Sequence, residues 1–171
     1  MGIAHDLIGT IGVDQLQTQY NLVFPEGIPG GGNADLITLR ADTSFTPPER
    51  TVGSYDVYHK GVKITRTNMV QDMTKEFTVE IRLDQQWEVW DSLNSWMKMI
   101  YDFETGTALG EIPVRTIMML QALDVQNNVT KTFSFLGVKI KSIGFSNGFD
   151  NQGTDPVRLS VIFVFDDMDV G

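Results

Sequence analysis

The sequence predicts a mainly β protein of α+β type, an antiparallel β-sandwich or barrel with one flanking α-helix. Three observations predict it. From Glu76 to Leu83 the chain alternates strictly, with Phe77, Val79, Ile81 and Leu83 on one side and Glu76, Thr78, Glu80 and Arg82 on the other. That is the period of a half-solvated strand. Val157, Leu159, Val161, Phe163 and Phe165 repeat the pattern near the C-terminus. Only one stretch, about 85–102, carries apolar residues at the spacing of a substantial helix.

The elements follow in order. Residues 17–24, QTQYNLVF, read as a first strand leading into a glycine-rich loop, PEGIPGGGN. The run 34–45, ADLITLRADTSF, is expected to be a β segment ended by Pro47-Pro48. Residues 46–72 form a long polar excursion or an extended hairpin, and loops of that length in compact domains are usually functional or disordered. Val114 to Leu123 is apolar on both faces, which predicts a strand covered on both sides. DVQNNVTK reads as a tight hairpin turn, because Asn-Asn tolerates positive φ. It leads into the long run KTFSFLGVKIKSIGF.

The helix holds all three tryptophans of the chain. Trp87, Trp90, Leu93, Met97, Ile100 and Tyr101 fall at steps of three and four, one apolar stripe expected to anchor it on the sheet. Asp84 is placed to cap its N-terminus and Gly106 to end its last turn. The outer face carries Glu88, Asp91, Asp102 and Glu104 against a single Lys98.

Composition narrows the function. The 171 residues suit one domain, with an N-terminal arm over 1–16 and the excursion 46–72. No cysteine is present, which excludes disulfides and thiolate metal sites. No apolar run approaches the roughly 18 residues of a membrane span, so no membrane insertion is expected. MGIAHDLIGTIG lacks the basic start of a secretory signal, and Asp6 replaces the Ser or Thr of a myristoylation signal. Twenty-two acidic residues against 13 basic ones give a net charge of −9, the opposite of a phosphate-gripping surface.

Catalytic motifs fail on inspection. GFSNG (144–148) matches the nucleophile elbow G-x-S-x-G, but both histidines, His5 and His59, precede Ser146 and a strand follows it. A β-turn is the better reading. The two histidines have no zinc spacing, and GIPGGGNAD lacks the spacing of a phosphate loop. DNQGTD (150–155) and DDMD (166–169) miss the calcium-loop register and read as solvated loop and tail. No enzyme, metal or cofactor is expected.

The segment LDQQWEVWDSLNSWMKMIYDFETG resembles the D-x-x-W-x-x-[RW]-D-x-L-x-x-W helix and D-P-E-T-G-like stop of contractile-tail tube proteins. The similarity extends from about Tyr20 to Asp166. It takes in PGGG, the alternating EFTVEIRLD before the helix, the hairpin LQALDVQNNVTKTFSFLGV and the closing IGFSNGFDNQGTDPVRLSVIFVFDD. Lys139 stands where the family's hairpin often has proline, the aromatic residue after FxFD is missing, and Thr46–Asp72 has no counterpart.

The resemblance implies a subunit that joins edge to edge into hexameric rings, stacked as the inner tube of a contractile phage tail. Its implied partners are further copies of itself, the tail sheath protein, and baseplate and tail terminator proteins. DNA would pass through the lumen without specific binding, and the protein would reside in the virion. Glu88, Asp91, Lys98, Asp102 and Glu104 become candidates for a sheath-facing helix surface. Pro47, Pro48, Tyr55, Tyr58, Lys60, Lys63 and Arg66 become candidates for a ring-stacking loop. Two alternatives remain: the tube of a protein-injection device, and a monomeric β-barrel binding a small apolar ligand under a tryptophan lid.

Overall fold

The computed structural model describes residues 20–41, 47–110 and 112–171. The N-terminal arm expected over 1–16, with His5, lies outside the described residues, as does Thr46.

The chain is mostly antiparallel strand. In order it forms β1 (Tyr20–Val23), α1 (Ala34–Arg40), β2 (Arg50–His59), β3 (Val62–Met73), β4 (Glu76–Arg82), α2 (Glu88–Ile100), β5 (Thr116–Leu123), β6 (Val129–Phe145), β7 (Arg158–Val164) and β8 (Asp167–Val170). Hydrogen bonding links the body in the order β1-β5-β6-β7-β4, with β8 also on β6, while β2 and β3 form a separate two-stranded sheet. The path does not close on itself, so the body is an open curved sheet, not a finished barrel.

The 17 residues of β6 are the spine. One edge pairs with β5, and the other pairs first with β8 through Phe133–Leu136 and then with β7 from Lys139 onward. The bend between the two halves falls at Gly137, whose φ of +68° favours glycine. A Cβ there would overlap the Asp166 carboxylate, which is held by Arg115 at 2.8 Å. The glycine thus lets β6 pass close to the break between β7 and β8.

The strict alternation of residues 76–82 is reproduced: Phe77, Val79 and Ile81 are buried, and β4 pairs with β7 in an unbroken register from Glu76↔Val164 to Arg82↔Arg158. Leu159, Val161, Phe163 and Phe165 are buried opposite them. The interior is filled by rings. Phe77 lies 5.1 Å from Phe135 and 5.4 Å from Phe163, and Trp96 lies 5.8 Å from Phe163. The Asn-Asn hairpin also forms, with Asn127 at φ +62° and the Asp124 carboxylate accepting from the Gln126 and Asn128 N–H groups.

Several expectations are corrected. Residues 34–40 are a helix, not a strand. Asn33 caps it by accepting from the Leu36 N–H at 3.0 Å, Asp35 and Arg40 sit at the ends that suit their charges, and Ile37 faces the core. DDMD is not a solvated tail: it starts β8, whose Met168 is buried. The β5 strand buries one face completely, through Thr116, Met118 and Leu120, and only half-buries the other.

The tryptophan helix is shorter than 85–102, and its buried stripe is displaced. Val89, Leu93 and Trp96 are the fully buried positions, with Ser92 beside them, whereas Trp90, Met97 and Ile100 pack at the margin. Trp87 is no core anchor. It precedes the helix at φ +60° and is 38% exposed. Tyr101, not Gly106, ends the helix, and Gly106 closes the turn after it.

Both readings of the stripe satisfy a spacing of three and four. The choice is made by Gly32 of the glycine-rich loop, where a Cβ would collide with Ser92. Helix and loop backbone approach closely there, and the Asn33 N–H donates to Ser92 Oγ at 3.2 Å. Contact with the loop turns the Ser92 side inward and the Trp87 side out.

Candidate assembly interface

β2 and β3 form a hairpin of bonded pairs from Arg50↔Met73 to His59↔Val62. Lys60 and Gly61, both at positive φ, make its two-residue turn. Neither strand pairs with another strand of the described residues. It is fixed at the base, where the Arg50 guanidinium donates to the Met168 carbonyl at 2.5 Å and the half-buried Met73 packs against the core. The long excursion is thus a projecting hairpin, and its side chains stand in solvent: Tyr55, Tyr58, Val62, Met69 and Val70 are exposed.

An isolated two-stranded hairpin is marginal in water at best. Some of this one's order comes from within. The Asp56 carboxylate accepts from Thr65 Oγ1 at 2.8 Å and pairs with Lys63 at 2.9 Å. The Asn68 side chain lies over Gly53 at the register shift and accepts from the Val70 N–H at 2.9 Å. Of the proposed stacking residues, Tyr55, Tyr58, Lys60, Lys63 and Arg66 all lie on this hairpin, and Pro47 and Pro48 are half-buried ahead of it.

A second surface is the outer face of α2. Glu88, Asp91 and Lys98 are exposed on it, and Glu104 is exposed beyond its end. Asp102 serves local structure, its carboxylate accepting from the Glu104 N–H at 2.9 Å. Glu88 accepts from the Asn33 amide at 3.0 Å, which ties it to the start of α1. Asp84 fixes the helix entry: its buried carboxylate accepts from the Glu88 and Val89 N–H groups at 3.0 and 3.1 Å. Burial works against its charge, but those bonds and Arg40 outweigh it and hold the carboxyl below the ordinary aspartate value of 3.8.

A third surface was missed by sequence reasoning. Trp87 stacks on Phe149 at 6.4 Å and 18°, and Trp90 on Phe145 at 5.5 Å and 14°. These four rings join the start of α2 to the end of β6 and the loop after it. Their separation of more than 50 residues left no local pattern. GFSNG is the end of β6 followed by a bend: Gly144 and Phe145 are strand, the Ser146 N–H donates to the Arg158 carbonyl at 2.9 Å, and the Asn147 side chain accepts from the Arg158 N–H at 2.7 Å.

Among the described residues no group of His, Cys, Asp and Glu is placed to hold a metal, and no helix is long and apolar enough to cross a membrane.

Comparison with known proteins agrees with this architecture at the level of fold. No protein-family model matches the sequence, and no curated protein is similar to it in sequence. Solved structures do match over nearly the whole chain. A chain from the cryo-EM structure of the sheath/tube terminator of PVC, an extracellular contractile injection system, in the extended state superposes with a TM-score of 0.63 at 7% identity, covering 94% of this chain and 99% of that one. A chain from the anti-feeding prophage baseplate gives 0.61 at 9% identity, covering 94% and 97%. A chain from the PVC sheath-tube complex in the extended state gives 0.57 at 8% identity, covering 100% and 98%. The fold is that of components of contractile injection systems.

Proposed function

We propose that this chain is a tube subunit of a contractile tail or injection device, closing into hexameric rings that stack inside a sheath. The observation that carries the reading is the hairpin β2-β3. A single subunit projects 24 residues of strand and turn that no other described strand or helix covers, on a fold matched end to end by components of contractile injection systems. The open sheet adds to this, since among the described residues its outermost strands, β1 and β4, pair with no further strand, the outer edge of β4 carrying only the single bridge Ala41↔Ile81. Exposed edges are a hazard in a monomer and are removed in a ring that pairs them.

Within that reading the hairpin stacks ring on ring, and the face of α2 with Glu88, Asp91, Lys98 and Glu104 turns outward to the sheath. Baseplate and terminator proteins meet the two ends of the tube. The finer reading is the tail tube of a phage virion, its acidic chain letting DNA phosphates slide past without sticking. A tube delivering protein is its sibling, and a genome or a protein cargo in isolated particles separates the two. The monomeric ligand-binder reading is disfavoured, because the described interior is occupied by its own rings.

Negative-stain microscopy of the purified chain tests the proposal. Rings or tubes with a six-fold end view are expected. A species that stays monomeric at high concentration refutes it.

A further inference from the structure

The two ends of β4 differ in chemistry. The hairpin joins its first end through Met73–Lys75, where the Lys75 carbonyl accepts from the Phe165 N–H at 3.1 Å. Its other end, at Arg82, leads through Asp84 to Trp87, and the Leu83 N–H bonds to the Val157 carbonyl at 2.9 Å. Seven residues of strand put about 23 Å between these ends.

The hairpin end is basic and apolar. Residues 50–73 hold four basic and two acidic side chains, a net +2, so the rest of the chain carries −11 of the total −9. Lys63 is spent on Asp56, but Lys60 and Arg66 make no ion pair among the described residues. Tyr58, two residues before Lys60, and Tyr55, paired across the strands with Arg66, are both exposed. The far end is aromatic and acidic. Trp87, Phe145 and Phe149 are 38%, 45% and 73% exposed, Phe149 is stacked on Trp87, and Asp150 and Asp155 stand in the same loop as Phe149. The cations at that end, Arg82 and Arg158, are half-buried and engaged with their own neighbours.

We infer that the Trp87–Phe145–Phe149 surface, with Asp150 and Asp155, is the socket for the hairpin of a second copy of this chain. The inference rests on the proposed stacking and names the surface that receives the hairpin. Plug and socket at opposite ends of one strand make a head-to-tail contact, the kind that repeats without closing and so extends a stack. Ring faces receive Tyr58 and the apolar hairpin residues, and Trp87 and Phe149 offer π faces to Lys60 and Arg66 within a carboxylate rim. Six such contacts per ring junction act together, so each can be individually weak.

The chain has no cysteine, so introduced ones report on contact directly. Chains carrying Tyr58→Cys, mixed with chains carrying Phe149→Cys and oxidised after assembly, should give disulfide-linked dimers, and either variant alone none. Asp150→Lys with Asp155→Lys should abolish sedimentable tubes while leaving rings. Adding Lys60→Glu and Arg66→Glu to the same chain should restore them. Tubes that form without the cross-link, and are indifferent to both charge reversals, overturn the socket and leave the tube reading standing. An unsubstituted chain that forms neither rings nor tubes overturns both.

Discussion

The Trp96 indole N–H donates to the Val114 carbonyl at 2.7 Å, and both residues are buried. This bond fastens α2 to the segment entering β5, at the centre of the ring cluster with Phe24 and Phe163. It makes Trp96 the tryptophan on which stability should depend. Trp96→Ala is expected to cost about 3–5 kcal/mol. Trp96→Phe keeps most of the packing but leaves a buried carbonyl unpaired, at about 1–3 kcal/mol. Trp87→Gly should cost far less, because glycine suits the positive φ and the side chain is partly in solvent. Urea denaturation of the three variants checks the order, and an equal loss from Trp87→Gly and Trp96→Ala would contradict it.

Asp84 should make the stability depend on acid. Its folded carboxyl is held below 3.8, while the unfolded value is about 3.9. A depressed carboxylate contributes in full above the unfolded value and loses that contribution as pH falls through the folded one. Asp84→Ala should therefore cost about 1 kcal/mol near neutrality, the usual worth of a helix N-terminal cap. The gap from the unsubstituted chain should shrink steadily below pH ~4. A gap that is the same at neutral and strongly acid pH would show that packing, not charge, is what Asp84 supplies.

Gly137→Ala is expected to be severe for a surface-connected strand. Its φ of +68° costs an L-residue about 1–2 kcal/mol, and the new methyl must also displace the Asp166 carboxylate from Arg115. Shortening the obstacle with Asp166→Ala should recover part of the loss in the double variant. Thermal melts of the two single variants and the double form the cycle. Strict additivity would mean that the two residues do not meet.

These contrasts show what the sequence made legible. Alternation located β4 and β7 and their buried faces, because a half-buried strand writes its period directly into neighbouring residues. The Asn-Asn turn and the Asp84 cap were legible for the same reason: each acts on backbone within five residues. Residues 34–40 misled because ADLITLR is equally apolar as strand or helix, and the deciding bond is a single Asn33 cap. The tryptophan stripe misled because Gly32, distant in sequence, selects which face of α2 turns in. The Trp87–Phe149 and Trp90–Phe145 stacks were invisible, since only the fold brings the two segments together. The long excursion was legible as an anomaly of length, but its register required the structure.

Removing the hairpin should separate folding from assembly. Among the described residues β2 and β3 pair only with each other, and the body holds them at their base, through the Arg50 bond to the Met168 carbonyl and the packing of Met73. A chain in which residues 50–68 are deleted should keep its circular dichroism of β structure and melt close to the full chain, because no core residue is lost. It should fail to form tubes. Normal tubes from the deletion would refute the stacking role, and an unfolded product would show that the hairpin stabilises the body.

The outer face of α2 supplies the last expectation. Exposed ion pairs are worth only about 0–1 kcal/mol each, which suits a surface that a sheath must grip along its length and release on contraction. Glu88 and Asp91 are both exposed at the first turn of α2, with Lys98 the one opposing charge on its exposed face. Reversing both to lysine places cations at the positive end of the helix and removes the Glu88 bond to Asn33, a modest cost in stability. Tubes should still form, and sheath polymerisation around them should fail or become strongly salt-sensitive. Because these residues flank the aromatic socket, Lys98→Glu with Glu104→Lys serves as a second variant, away from it. Loss of sheath assembly in both variants, with tubes intact, would support the sheath-facing role. Loss of tubes in the first alone would assign Glu88 and Asp91 to stacking, and unaltered sheath assembly on both would sink the idea.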